Sequence, residues 1–367
     1  MVYDKMAKVQ YIYGKGNTSI IISEIIQNYF QNKSQNSNEL NKLNFSLILS
    51  RYDNSIIQSN DSLFNYLQDY DIVIILTVWK RNNLERQLLQ IKDQSILKNK
   101  KTNIIVFQNS NYINVIDIIN KWNKTEMFSE KVDISYIKSP IETGYFGRFI
   151  IPLTSSIRSD SYFIICDDDV IWGKRYFENM IRVVNDGSLA TRNGRIIDEN
   201  FQEYSPVPSK ACQLNIHICY DEDIEYDFGG HTWAGLISWL RKAWNHIPIS
   251  IENSEDFWIS AALKSFYNIP TKTPKCPCPP KGIPIIPDMC AASDISAKEH
   301  IDAKIGNSII GHNIRNKIIK ETSSKFKYIL LAKSNPKYVK SMSKKFVFGS
   351  SLFNLSDLRW KDVLLWQ

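Results

Sequence analysis

Apolar runs alternate with amphipathic stretches from residue 71 onwards. The first run, DIVIILTVW (71–79), is continuous and rich in Val and Ile, which is typical of a strand buried on both faces of a parallel sheet. The next segment, LERQLLQIKDQ (84–94), has the spacing of an amphipathic helix. The alternation continues with predicted strands at 102–109, 132–138 and 161–170 and predicted helices at 114–122 and 149–157. This order predicts βαβ units and an α/β fold, with a mainly parallel central sheet flanked by helices.

The chain divides into three regions by its pattern. A small β/α extension is expected over residues 1–65, which contain two short apolar runs and an Asn- and Ser-rich linker. The regular alternation and a less regular half with a helix near 254–267 form the main domain, 66–322, which we divide at residue 175/176. The last residues, 323–367, mix Lys with aromatic and apolar side chains, and we expect a peripheral segment there.

Composition narrows the class of ligand. The chain has 367 residues, of which 43% are hydrophobic, which is enough for a large core. Its 45 basic and 38 acidic side chains give a net charge of +7, but the basic residues are scattered. Nucleic-acid-binding proteins usually concentrate basic residues on one face, so we expect a small phosphate-bearing substrate and no nucleic acid.

Targeting and cysteine signals are weak. The opening residues lack the apolar core of a secretory signal, and no 18-residue apolar stretch occurs, so we expect a protein without its own membrane anchor that acts in the cytoplasm. Abundant Asn, Ile and Lys suggest an AT-rich bacterial, protist or viral genome. The six cysteines are predicted to be free thiols. Cys276 and Cys278 form a CxC pair without a convincing second pair, which argues against structural zinc.

Three consecutive aspartates end the most informative strand, SYFIICDDDV (161–170). Because the carboxyl ends of parallel strands bind the ligands of such sheets, Asp167, Asp168 and Asp169 are expected at a binding crevice. Adjacent carboxylates repel one another, and a divalent cation such as Mn²⁺ or Mg²⁺ would neutralise them. Two alternatives remain at this point: the aspartates cap a turn or the helix that begins near Lys174, or they serve phosphoryl chemistry in a phosphatase or nuclease.

Four segments in a fixed order carry a family resemblance. They are LTVWKRNNLERQL (76–88), GYFGRFIIP (144–152), CDDDVIW (166–172) and NSEDFWISAAL (253–263). Together they resemble the exostosin-like and related family-2-type glycosyltransferases over about half of the chain. The resemblance implies a GT-A fold and a metal-dependent transfer of a hexosyl or N-acetylhexosaminyl group. It also implies a nucleotide-sugar donor (a UDP-sugar by analogy), Mn²⁺ or Mg²⁺ as cofactor, and a glycan or another hydroxyl acceptor.

On the donor side the resemblance implies a set of nucleotide and metal contacts. It assigns Thr77, Arg81 and Asn82 to the nucleotide, although the family's Tyr-Asn-Arg order is replaced here by Trp-Lys-Arg-Asn. The alternative is an exposed polar turn before a helix. Arg148 would grip the diphosphate or uracil oxygens, unless it is a surface or carboxylate-paired arginine. The metal ligands implied are Asp169 and Asp167, with Asp167 and Asp168 also contacting the donor.

On the acceptor side the resemblance points to DFGGHTWAGLISWL (227–240) and to the start of the helix near 254. It implies that Gly230 allows close approach of a sugar and that Trp233 stacks on it, although a buried Trp next to a turn fits equally. Glu255 and Asp256 would face the acceptor hydroxyl. Helix capping is the alternative, with Asn253 as N-cap and early acids favoured by the helix dipole.

The histidines that follow the aspartates in the chain are further candidate metal ligands. His231, His300 and His312 follow the aspartates, and some GT-A enzymes recruit such a histidine to the metal.

Competing functions are a metal-dependent nucleotidyltransferase or phosphohydrolase and a non-catalytic glycan-binding protein. GKGNTS (14–19) is not a complete P-loop, which disfavours the first of these. The choice between retention and inversion, the sugar and the oligomeric state stay open.

Overall fold

A computed structural model of the chain describes residues 69–109, 112–124, 128, 130–139, 144–154, 157–197, 222–250, 253–275, 292–294 and 309–341. The predicted N-terminal extension (1–65), the GKGNTS segment and the CxC cysteines lie outside the described residues. Among the described residues, no helix is both long enough and apolar enough to cross a bilayer.

The described strands form one eight-stranded sheet and one two-stranded ribbon. The strands are β1 Ile72–Val78, β2 Thr102–Gln108, β3 Val132–Lys138, β4 Tyr162–Cys166, β5 Val170–Trp172, β6 Leu189–Arg195, β7 Ile224–Tyr226, β8 Phe228–Leu236, β9 Thr271–Thr273 and β10 Ala292–Asp294. The order in the large sheet is β3-β2-β1-β4-β8-β6-β9-β7, and β10 pairs with β5.

The helices cover this sheet and connect its strands. They are α1 Leu84–Lys92, α2 Ile116–Lys124, α3 Gly147–Thr154, α4 Tyr176–Asn185, α5 Ile237–Ala243, α6 Glu255–Tyr267, α7 Ile309–Phe326 and α8 Leu331–Ser334, with 3₁₀ turns at Ser95–Lys98 and Gly144–Phe146. The core lies between the sheet and these helices and is dominated by Ile, Val, Leu and aromatic side chains. The predicted α/β architecture, a central sheet flanked by helices, is therefore confirmed.

The parallel part of the sheet is its first half. Strands β3, β2, β1 and β4 are parallel neighbours, as the βαβ pattern predicts, whereas β8 runs antiparallel to both β4 and β6. The predicted strand 161–170 is interrupted, because the chain turns at Asp168 and Asp169 before β5 begins. The turn separates the three aspartates from the regular strand and leaves them at the carboxyl edge of the sheet.

The prediction of a peripheral segment from residue 323 is wrong for its first residues. Helix α7 runs through the predicted boundary, and Phe326 and Leu330 are buried in the core. The residues that follow the helix are also anchored, because the Leu331 amide (2.8 Å) and the Tyr328 hydroxyl (3.1 Å) donate hydrogen bonds to the buried carboxylate of Asp227. A local pattern of Lys and apolar residues could not reveal this anchoring, because Asp227 is remote in sequence.

Candidate active site

The aspartate turn is held in place by helix α1. The Gln87 side-chain amide donates to the carbonyl oxygens of Asp167 (2.7 Å) and Val170 (2.8 Å), one on each side of the turn. The Asn83 amide donates to the carbonyl of Asp168 at 3.0 Å. Because the backbone of the turn is fixed from this side, the three carboxylates are presented in a defined arrangement. The Asp168 and Asp169 residues are only 7% and 4% exposed.

Arg81 supplies positive charge next to the turn. Its Nη1 lies 2.5 Å from Asp168 Oδ1 and 3.7 Å from Asp169 Oδ2. Burial lowers the pKa of Arg81, but the neighbouring carboxylates outweigh this, and the net shift of the pKa is upward. Arg81 therefore remains a guanidinium cation at the acidic cluster.

The other two residues of the predicted nucleotide turn are placed differently. Asn82 is exposed, and the contact to the aspartate turn comes from its neighbour Asn83. Thr77 lies in β1, and its buried hydroxyl oxygen has no hydrogen-bond partner among the described residues. The structure thus brings Arg81 to the acidic cluster but gives no contact that would assign a role to Asn82 or Thr77.

Asp167, Asp169 and His231 form a group that can hold a metal ion. One potential ligand atom from each residue lies within 4.8 Å of the others. His231 belongs to β8, which is antiparallel to β4, and its carbonyl accepts a hydrogen bond from the Asp167 amide at 3.1 Å. His231 has a left-handed backbone (φ 66°), which is uncommon for a side-chain-bearing residue and often marks functional sites.

The donor atoms fit a divalent cation. Carboxylate oxygens are ligands of Mg²⁺ and Mn²⁺, and an added imidazole nitrogen favours a transition-metal ion such as Mn²⁺ over Mg²⁺, which prefers oxygen. Asp168 Oδ2 is also buried without a hydrogen-bond partner among the described residues, so an acceptor atom is available beside this group. The side chains of His300 and His312 lie outside those described.

Arg148 joins the aspartate turn to the start of helix α6. Its Nη1 makes an ion pair with Asp167 Oδ1, and its Nη2 lies 2.8 Å from Glu255 Oε1. The guanidinium is buried, 4.6 Å from the centre of the Trp233 ring. The carboxylate-paired alternative for Arg148 thus describes this structure. Burial lowers its pKa, but Asp167 and Glu255 outweigh this effect and raise it overall.

The two carboxyl groups that contact Arg148 have raised pKa values. Burial raises the pKa of Asp167, the neighbouring Asp169 and Asp168 raise it further, and Arg148 only partly offsets these effects. Burial and Asp256 likewise raise the pKa of Glu255, against the lowering influence of Arg148. Both groups therefore resist ionisation more than exposed carboxyl groups do.

Asp256 is paired with a second arginine, from helix α7. Arg315 Nη2 makes an ion pair with Asp256 Oδ2, and Arg315 Nη1 lies 3.3 Å from the side-chain oxygen of Asn253. The prediction of Asn253 as the N-cap is wrong. The N-cap is Ser254, which has φ 68° and makes no side-chain cap, and Asn253 Oδ1 instead accepts a hydrogen bond from the Ser254 amide at 2.6 Å.

Among the described residues, ion pairs join five carboxylates of this site to three arginines. The carboxylates belong to Asp167, Asp168, Asp169, Glu255 and Asp256, and the arginines are Arg81, Arg148 and Arg315. Bound protons or a divalent cation stabilise a buried group in which carboxylates are this concentrated.

The predicted acceptor residues lie on β8. Trp233 is 1% exposed, its indole nitrogen donates to the Gly229 carbonyl at 2.8 Å, and its ring packs against Phe149 at a centroid distance of 5.3 Å. The buried alternative therefore describes Trp233, whose ring contacts the Arg148 guanidinium and is too little exposed to stack on a sugar. Gly230 is half-buried, pairs with Asn193 of β6 and directly precedes His231.

Sequence reasoning missed three residues that contact this site: Asn83, Gln87 and Arg315. Gln87 carried a usable signal, because it occupies the same buried face of helix α1 as Leu84, Leu88 and Ile91. A polar side chain on an otherwise apolar face is expected to have a specific partner. Arg315 carried no such signal.

A scan against protein-family models and a search of the curated proteins find no match. Among solved structures, the chain is similar to S. aureus TarS at 12% identity and a TM-score of 0.38, covering 70% of this chain and 43% of that one. The chain therefore spans less than half the length of that structure.

Two further solved structures are similar to the chain. GalNAc-T7 with UDP, GalNAc and Mn²⁺ matches at 8% identity and a TM-score of 0.41, over 56% of this chain and 42% of that one. The mannosyltransferase PcManGT from Pyrobaculum calidifontis, with GDP-Man and Mn²⁺, matches at 10% identity and a TM-score of 0.38, over 78% and 77%. Because all three TM-scores are below 0.5, we base the function on the residues of the site instead.

Proposed function

We propose that the chain is a metal-dependent glycosyltransferase of the GT-A type, which moves a sugar from a nucleotide sugar to a hydroxyl group of a glycan or another acceptor. The observation that carries this proposal is the junction at Arg148. This one guanidinium contacts Asp167 of the candidate metal group and Glu255 at the start of helix α6. A group suited to a cation thus lies next to carboxylates suited to accept a proton, as transfer to a hydroxyl requires.

On the donor side, Asp167, Asp169 and His231 would hold the cation. When bound, a divalent cation neutralises a diphosphate and stabilises it as a leaving group. Arg81 lies just before the N-terminus of helix α1, where backbone amides and the helix dipole favour a phosphate. We infer that Arg81 exchanges part of its contact with Asp168 for a phosphate oxygen of the donor.

On the acceptor side, Glu255 and Asp256 are the groups proposed to act on the attacking hydroxyl. The raised pKa of Glu255 makes it a better proton acceptor when ionised than an exposed glutamate. Asp256 is held by Arg315, which orients its carboxylate. Either carboxylate would serve as general base in an inverting transfer, or lie near the reacting centre in a retaining one.

Product analysis with a panel of nucleotide sugars tests the reaction class. The purified chain is incubated with each sugar nucleotide, Mn²⁺ and mixed glycan acceptors, and free nucleoside diphosphate, inorganic phosphate and pyrophosphate are measured separately. Sugar-selective release of nucleoside diphosphate is expected. Release of phosphate would indicate a phosphohydrolase, and release of pyrophosphate a nucleotidyltransferase. Glycan binding without any release would indicate a non-catalytic glycan-binding protein.

Calorimetric titration with UDP and Mn²⁺ tests the residue roles. We expect Asp169→Asn to abolish metal-dependent UDP binding, because it removes one charged ligand of the group. Asp256→Asn should spare UDP binding and remove transfer. Asp160→Asn is the matched control, because the side chain of Asp160 is 80% exposed, and it should change neither. Unchanged UDP affinity in the Asp169 variant would refute the metal assignment.

A further inference from the structure

The guanidinium of Arg148 contacts two carboxylates that belong to different parts of the site. One terminal nitrogen pairs with Asp167 on the strand side, and the other lies 2.8 Å from Glu255 on the helix side. The side chain of Arg148 is 7% exposed, as is that of Glu255. Water therefore cannot easily replace Glu255, whereas the side chain of Asp167 is 22% exposed. A change of charge at one carboxylate alters the interaction of the guanidinium with the other carboxylate.

The surroundings of Arg148 restrict where it can move. Its guanidinium lies over the Trp233 ring at 4.6 Å and near the Phe149 ring at 5.5 Å. Cation–π contacts of this kind hold a buried guanidinium in place without neutralising its charge. Loss of one carboxylate partner would therefore leave Arg148 close to its present position, with more of its positive charge directed at the other partner.

We propose that Arg148 is a positioning residue that couples the affinity of the cation group to the state of Glu255. This inference rests on the proposed function. Arg148 and a cation compete for the same carboxylate, Asp167, and Glu255 draws part of the guanidinium charge away from that competition. When Glu255 is neutralised, more of the Arg148 charge acts on Asp167, and the cation is bound less tightly.

By thermodynamic linkage the coupling is reciprocal. A cation that binds Asp167 leaves more of the Arg148 charge to act on Glu255, which stabilises the Glu255 carboxylate.

The test is a double-mutant cycle with Mn²⁺ alone as the probe. Binding is measured from the paramagnetic resonance signal of free Mn²⁺ at one near-neutral pH. We expect Glu255→Gln to weaken Mn²⁺ binding by about five-fold or more, at the lower end of typical couplings between linked sites. In an Arg148→Met background, the same Glu255→Gln change should have a much smaller effect.

Asp256→Asn is the matched control for simple charge loss. It removes the same charge from the adjacent residue, but the ion-pair partner of Asp256 is Arg315 and not Arg148. We expect its effect on Mn²⁺ binding to be smaller than that of Glu255→Gln in the parent background. Equal effects of the two variants would show that only the long-range field acts, and would overturn the coupling through Arg148.

Two further outcomes are decisive. Arg148→Met leaves the buried Glu255 and the partly exposed Asp167 without their shared counter-charge. If this background does not fold, the cycle is run with Arg148→Lys, whose single ammonium cannot form the two-pronged contact. A Glu255→Gln effect that persists undiminished in the folded background contradicts the coupling. If the parent protein binds no Mn²⁺, the metal site of the proposed function fails as well, whereas Mn²⁺ binding without coupling removes this inference alone.

Discussion

Gln87 offers the sharpest test of how the aspartate turn is built. Its side-chain amide spans the turn and donates to the carbonyls of Asp167 and Val170 at 2.7 and 2.8 Å. Gln87 is 1% exposed, so water cannot easily take over these two hydrogen bonds. In Gln87→Met the side chain keeps its length but loses both donors, and a buried carbonyl without a partner costs about 1–3 kcal/mol. Because two carbonyls lose their donor, we expect a loss of about 2–6 kcal/mol in the free energy of unfolding.

The loss should reach the metal site as well. Asp167 is a predicted ligand, and removal of groups that orient metal ligands typically lowers metal affinity by about 10–100-fold. Calorimetric titration of Gln87→Met with UDP and Mn²⁺ should show a decrease in this range. Urea unfolding of the same variant measures the loss of stability independently.

Gln94 provides the matched control. It is also 1% exposed and also bonds the segment after β4, through the Gly173 carbonyl (2.7 Å) and the Phe177 amide (3.1 Å), but it does not touch the aspartates. Gln94→Met should therefore lose comparable stability and keep its Mn²⁺-dependent UDP affinity. If both variants bind Mn²⁺ and UDP alike, the turn does not depend on Gln87, and the reasoning is refuted.

Two other predictions concern the C-terminal part of the described chain. Burial raises the pKa of Asp227 to about 7, against about 4 in the unfolded chain, so the folded state binds the extra proton between these values. Stability from this group is therefore highest below about pH 4 and falls by at most a few kcal/mol as pH rises to about 7. Urea unfolding across this window should show the decline, and Asp227→Asn should flatten it; an equal slope in both proteins would contradict the assignment. Separately, Arg315→Met leaves the buried Asp256 carboxylate without its partner and should cost about 3 kcal/mol in urea unfolding. Lys317→Met on the same helix removes a side chain that is 76% exposed and should change stability by less than about 0.5 kcal/mol; similar losses in the two variants would argue against the Arg315 ion pair.

The order of strands and helices could be predicted because each element has its own local pattern of apolar and polar residues. Each run of Val and Ile in the first half buries both faces of a strand, and each amphipathic segment covers the sheet with one face, so neighbouring residues carry the information. The three aspartates are informative for the same reason, because they directly follow a buried strand. Their place at the carboxyl edge of the sheet follows from the parallel pairing of β1 and β4.

Tertiary structure decided which side chains meet these aspartates. His231 reaches Asp167 because β8 pairs antiparallel with β4, in a register that aligns Cys166 with Thr232. The local pattern of one strand does not show which distant strand it will pair with, so the residues that face each other across β4 and β8 are decided by the tertiary fold. Arg315 reaches Asp256 because helix α7 packs on this side of the domain. The sequence by itself thus determined the elements and the acidic turn, whereas the imidazole and the guanidinium partners depend on contacts between residues far apart in the chain.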